Sequence, residues 1–159
     1  MSEIDRIVDE LTRAVDTDPW HGNPVARILD GIDAATAAAK PGRNAHSIWE
    51  IVRHMTAWTG EVGRRLAGHP PGEPQEGDWP SPSGSDEEAW RRDVVLLFEV
   101  HQRLLARVRA LNDGVLFQAT TDARDREAGA GVSHYVLLHG LSQHHAYHAG
   151  QIAILKKMV

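Results

Sequence analysis

The chain has 159 residues, a formal net charge of −5 and no cysteine. This length suits one domain with a hydrophobic core, the acidic balance argues against a nucleic-acid partner, and the lack of cysteine excludes disulfides, thiolate ligands and a protein thiol nucleophile. No apolar run approaches the roughly 20 residues that span a bilayer, and the first residues are polar and acidic, so we expect a cytoplasmic protein with no membrane partner.

The first part of the chain predicts one long and two short helices. Residues 2–17 carry apolar side chains at helical spacing, with Ser2 as the N-cap. Residues 25–38 continue this spacing, and we expect two short helices there, hinged near Gly31.

A second long helix is predicted over residues 47–67. Ser47 and Glu50 have the spacing of a capping box, in which the side chain of each residue bonds the backbone N–H of the other. Residues 69–84 follow, with five prolines and three glycines, and cannot be regular structure. A connection of 16 residues is long for a compact domain, so we expect it to cross the body of the protein or to border a site.

Two more long helices complete the prediction. Ser85 and the three acidic residues after it begin a helix that runs to about residue 111, and residues 113–132 are expected to be irregular. The last helix starts near Ser133 and runs almost to the end, with Lys156 and Lys157 in its final turn. The predicted fold is all-α, a four-helix bundle with short additional helices, in a single domain over residues 1–159.

The last helix carries a histidine pair on its apolar face. His144 and His148 are about 40° apart around a helix, one turn above the other, whereas His145 points about 100° away and His139 lies near the opposite side. An i,i+4 pair turned to the core is the arrangement of a two-ligand metal clamp. The alternative is a pair of core histidines without a metal, and the spacing alone does not decide between them.

A third ligand would come from another helix, and His54 is the best candidate because it flanks the apolar face of the second long helix. His101 is a lesser candidate, since it is alone on its own apolar face. Glu50 and Glu61 lie on the polar side of His54, where either could accept the second N–H of a ligating imidazole, or could simply be solvated.

Two segments resemble a known family. The second long helix, "HSIWEIVRHMTAW", and the closing "HHAYHAGQI" are similar to those of the DinB/YfiT-like metalloproteins, a group related to the mycothiol-dependent maleylpyruvate isomerases and the bacillithiol S-transferases. The resemblance spans essentially the whole chain. It implies a four-helix bundle, one divalent metal ion held by His54, His144 and His148, and frequent homodimers.

Function is expected to follow from the open site. Three neutral imidazoles leave a bound ion, for which we expect zinc or nickel, with its full charge and a free coordination position, as in catalytic centres. The leading expectation is a transferase or isomerase that acts on a small-molecule substrate and uses a low-molecular-weight thiol. A metal-dependent hydrolase and a non-catalytic, stress-related metal-binding protein are the alternatives. Around the site we expect Trp58 and Tyr147 to line a pocket and Gln151 to orient a ligand.

A homodimer through helix faces is also expected. Besides the resemblance, its motive is the presence of apolar residues off the main apolar faces, such as Trp49 and Val52.

Overall fold

The structure, a computed structural model, describes residues 1–121 and 131–159. These residues form six α-helices, a 3₁₀ turn at Asp113–Val115 and no strand beyond an isolated bridge between Ala119 and Ser133. The predicted all-α fold is confirmed, and part of the predicted irregular stretch, residues 122–130, lies outside the described residues. The helices are α1 (Glu3–Val15), α2 (Val25–Leu29), α3 (Ala34–Ala38), α4 (Ile48–Leu66), α5 (Glu87–Arg109) and α6 (His134–Leu155).

Four long helices form the bundle. The second long helix of the chain, α4, packs against α5 and α6, and α1 packs against the same two helices. The short helices α2 and α3 lie at one end, where α3 contacts α4 and α5, and α2 contacts α6. Gly31, between α2 and α3, has a φ of +73°, a conformation that L side chains rarely adopt, and this explains the predicted hinge.

Side-chain caps set the starts of the helices. Ser2 and Ser47 each form a complete capping box, with Asp5 and Glu50 respectively. The predicted start of α5 is shifted by one residue, because Asp86 and not Ser85 is the N-cap and accepts the N–H of Ala89.

The last helix is shorter than predicted. It ends at Leu155, and Lys156 occupies the C-cap position. The Lys156 ammonium donates to the backbone carbonyls of Ile28 (3.0 Å) and Asp30 (2.6 Å), at the carboxyl end of α2. The cation thus interacts with the end of a neighbouring helix.

The core consists of two apolar clusters with a polar layer between them. Thr59 on α4, His101 on α5 and His145 on α6 have no solvent exposure and lie between the clusters along each helix. The first cluster, at the end with α2 and α3, includes Ile48, Trp49, Val52, Met55, Trp90, Leu97 and Ile152. The second includes Ile4, Leu11, Val62, Leu104, Val108, Leu138 and Leu141.

Two residues offered as a possible dimer surface are in this core. Trp49 and Val52 are both fully buried, so neither can contact another subunit, and that motive for a dimer was wrong. Local helical spacing underestimated the buried face of α4 because α3, α5 and α6 all pack on it. None of the helices within residues 1–121 and 131–159 is both long and apolar enough to cross a membrane.

Candidate metal centre

Three histidines converge between α4 and α6. The Nε2 atom of His144 lies 3.0 Å from Nε2 of His54 and 3.1 Å from Nε2 of His148. One ring nitrogen from each of the three residues lies within 4.8 Å of those of the other two. Among the described residues, these histidines are the group of three or more His, Cys, Asp or Glu side chains that lie close enough together to hold a metal ion. His54 and His148 are buried and His144 is half-buried.

The outer (Nδ1) nitrogens of two of these rings use their protons in hydrogen bonds outside the centre. Too few protons then remain to pair all of the inner (Nε2) nitrogens with one another. Nδ1 of His54 donates to the backbone carbonyl of Asp78 (2.6 Å), and Nδ1 of His148 donates to Oε1 of Gln151 (2.6 Å). In their neutral forms both rings therefore direct a lone pair from Nε2 toward Nε2 of His144. A single proton on His144 can serve only one of them, whereas a divalent cation would accept all three lone pairs. The residues present thus fit a metal ion.

Burial keeps these imidazoles unprotonated. It lowers the pKa of His144 to about 3 and that of His148 to about 4, and it also lowers the pKa of His54. The neighbouring histidines add to the effect for His144, since charging one ring disfavours charging the next. At neutral pH all three rings are therefore neutral, and a metal ion need not compete with a second proton on any of them.

The long connection between α4 and α5 covers one side of His54. The Trp79 indole stacks on the His54 imidazole, with ring centroids 3.9 Å apart, and its opposite face stacks on His46 at 3.6 Å. The Asp78 carboxylate accepts the indole N–H of Trp58 (2.7 Å) and also lies 3.3 Å from Nδ1 of His54. Sequence reasoning expected this connection to border a site but did not identify Asp78 or Trp79. The available signal was an acidic and an aromatic residue together in a proline-rich segment of unusual length.

The residues expected around the site differ in how closely they approach it and in how exposed they are. Gln151 contacts His148 as described, and the Trp58 ring stands edge-on to His54 at 6.4 Å. Tyr147 is 65% exposed, with its ring 5.0 Å from that of His148. These side chains border the centre, although Tyr147 borders it from the solvent side.

Glu50 and Glu61 do not serve as the expected acceptors. Glu50 binds the backbone N–H of Ser47 and the ammonium of Lys40, both within 2.8 Å. Glu61 is buried and accepts from Arg65 (3.0 Å). The acceptor for His54 is a loop carbonyl, which a helical wheel of α4 cannot reveal.

The other histidines on these helices lie elsewhere. His145 turns away from the centre and packs against His101 in the polar layer, with ring centroids 5.8 Å apart, so His101 is not in the three-histidine group. His139 pairs with Glu10 (2.8 Å) on the far side of α6. His139 and His145 point away from the His144–His148 pair because each residue of α6 is rotated by 100° from the one before it.

Fold and site together define a class: a helical bundle with a largely buried three-histidine centre that could hold a divalent metal. The family model of the DinB superfamily matches residues 21–152, which includes all three histidines. The chain therefore belongs to the DinB superfamily, which is metal-binding. No curated protein and no solved structure matched the chain.

Proposed function

We propose that this protein is a metal-dependent enzyme that uses a low-molecular-weight thiol as the nucleophile in a transfer or isomerisation reaction. The observation that supports the proposal is the convergence of three neutral imidazoles, His54, His144 and His148, on one point. Zinc or nickel bound there would keep its positive charge and an open position, and so would acidify a thiol or polarise a substrate oxygen.

The chain's own residues would orient the metal ligands and bind the substrate. Asp78 and Gln151 hold the rings of His54 and His148 through Nδ1, so that both present Nε2. Trp79 excludes water from one face of His54. Trp58 and Tyr147 would form the apolar wall against which a small electrophilic substrate lies.

The nucleophile would have to come from outside the chain. There is no cysteine in the sequence, and the residues between His144 and His148 are histidine, alanine and tyrosine, so the glutamate that acts as base in the HExxH metalloproteases is missing. A small thiol supplies both the nucleophilic atom and the proton to be lost.

The test is a two-component activity assay. Metal-loaded protein is incubated with a panel of low-molecular-weight thiols and an activated aryl halide, and the thioether product is measured. We expect conjugation that needs both metal and thiol, that is lost in His144→Ala and that is retained in His139→Ala. Ester or amide hydrolysis without thiol would instead favour a hydrolase. Stoichiometric metal with neither activity would place the protein among non-catalytic metal-binding proteins.

We also propose a homodimer formed through the outward face of α6. Val136 and Ile154 lie at helical spacing on this face and are each more than half exposed. Gly140 and Gly150 lie on the same face with no neighbouring atoms within 4 Å of a Cβ position, which would let a second helix approach closely. Light scattering should give twice the 17.5 kDa mass, and Ile154→Lys should give the monomer; a monomeric wild-type protein would refute the proposal.

A further inference from the structure

An ion pair between a buried carboxylate and a partly buried guanidinium lies beneath the connection between α4 and α5. The carboxylate of Asp93 is only 2% exposed and accepts three hydrogen bonds. They come from the indole of Trp49 (2.7 Å), the backbone N–H of Ser83 (3.0 Å) and the guanidinium of Arg53 (3.2 Å). One carboxylate thus joins α4, α5 and the connection between them.

The same ion pair holds a second point of the connection. Besides Asp93, the Arg53 guanidinium binds the carboxylate of Glu76 (2.6 Å). The segment that we call the strap, residues 76–83, is therefore attached at its first residue to Arg53 and at its last residue to Asp93. Since these two side chains are bonded to each other, both ends of the strap are fixed to one point of the bundle.

The residues that touch the metal centre lie between these two attachments. Asp78 accepts the Nδ1 proton of His54 through its carbonyl, and Trp79 stacks on the same ring. The N–H of Asp78 in turn donates to Glu73 (2.9 Å), just before the strap. Because the strap is short and attached at both ends, the Arg53–Asp93 pair restricts where the Asp78 carbonyl can lie, together with the bonds of Asp78 to Trp58 and Glu73.

We propose that Arg53 and Asp93 are positioning residues for the metal centre, acting through the strap on the tautomer and orientation of His54. The proposal rests on the proposed metal-binding function. A buried ion pair adds little net stability after its desolvation, so stability alone gives a weak account of the pair. Its consequence for the site is larger: with the strap in place, the Nδ1 proton of His54 is committed to Asp78, and Nε2 is left to bind metal.

The main variant is Asp93→Asn, which keeps the shape of the side chain. An amide has one acceptor oxygen, whereas three donors surround Asp93, so at least one of them must face the NH₂ group. The contacts of Asn with Trp49, Arg53 and Ser83 therefore cannot all persist. A second variant, Glu76→Arg, repels Arg53 from the exposed end of the strap and leaves the buried contacts intact.

Two readouts separate positioning from general destabilisation. The first is Co²⁺ affinity by competition with a chromophoric chelator, for which we expect a loss of about 10- to 100-fold in Asp93→Asn and a smaller loss in Glu76→Arg. The second is the exchange with water of the His54 Nδ1 proton in the metal-free protein, followed by NMR, which we expect to be faster in both variants. Val108→Ala, a cavity in the distant second core cluster on the same helix, is the control that loses stability and changes neither readout.

The outcomes are distinguishable. Unchanged His54 proton exchange in folded Asp93→Asn and Glu76→Arg would overturn the positioning role, whatever happens to affinity. Equal effects in Val108→Ala would overturn it as well. A wild-type protein that binds no Co²⁺ would refute the proposed function, while the exchange experiment, made without metal, would still decide whether the strap holds His54.

Discussion

The three histidines of the centre differ in what holds them. His54 and His148 each donate their outer proton to a fixed acceptor, the carbonyl of Asp78 and the side chain of Gln151. Nδ1 of His144 is buried and has no hydrogen-bond partner within the described residues. No acceptor on Nδ1 therefore fixes the tautomer of His144, and a cation on Nε2 would direct its proton to Nδ1.

Replacing any of the three histidines should remove metal binding. We expect His54→Ala, His144→Ala and His148→Ala each to lower metal affinity more than about 100-fold, because losing a ligand costs more than losing an outer partner of a ligand. His139→Ala should bind like the wild type, since His139 pairs with Glu10 away from the centre. Elemental analysis of untagged protein after dialysis measures the outcome. Full metal content in His144→Ala would show that the centre is not the binding site.

At the scale of the element, α4 supplies one of the three histidines of the centre, His54. Its capping box is complete, with the hydroxyl of Ser47 accepting from Glu50 N–H (3.2 Å) and the carboxylate of Glu50 accepting from Ser47 N–H (2.8 Å). Because Glu50 is committed to the cap and to Lys40, it is unavailable to His54 one turn later. The hydrogen bond with which Glu50 helps to begin the helix thereby keeps this residue out of the site.

Removing helix caps should distinguish the observed starts from the predicted ones. We expect Ser47→Ala and Asp86→Ala each to lower the free energy of unfolding by about 1 kcal/mol, since both side chains accept a backbone N–H of the first turn. Ser85→Ala should change it by less than about 0.5 kcal/mol, because Ser85 is exposed and is not the cap. Urea denaturation of the metal-free proteins measures the three values. A larger loss in Ser85→Ala than in Asp86→Ala would contradict the assignment of the cap.

At the scale of the whole molecule, the polar layer places histidines where most bundles place apolar side chains. His101 and His145 have no solvent exposure, and both ring nitrogens of His101 lack a hydrogen-bond partner within the described residues. Burial lowers the pKa of His101, partly offset by the charge of Asp16, and lowers the pKa of His145 far more. Just below about pH 6.5, the folded protein therefore holds both rings neutral, whereas the unfolded chain protonates them.

This layer should make the metal-free protein sensitive to acid. Unfolded histidines titrate near pH 6.5, and the folded pKa values lie below this, so the unfolded state binds more protons as the pH falls from 7 to 5. The free energy of unfolding should then decrease toward pH 5, by up to about 1.4 kcal/mol per pH unit for each buried histidine. Urea denaturation at several pH values measures the slope, and His101→Leu should make it shallower. A free energy of unfolding that is constant or rises toward pH 5 would contradict this.

Much of the fold follows from local information in the sequence. Apolar spacing and the side chains of Ser2 and Ser47 predicted the long helices, because an N-cap and a 3.6-residue period depend only on neighbouring residues. The separation of His144 and His148 from His145 follows from the same period. Errors in this part are small and concern ends, such as the one-residue shift at Asp86 and the early end of α6.

Only the tertiary structure decided what surrounds the three histidines. The Asp78 carbonyl and the Trp79 ring reach His54 from the connection between α4 and α5, which contacts Arg53 through Glu76 and Asp93 through Ser83. No periodicity relates such a loop to a helix face, so the sequence could mark the loop as unusual but could not identify its contacts. The sequence by itself determined which histidines share a face, because helix geometry is local; the tertiary structure determined which groups hold them, because those contacts join residues far apart in the chain.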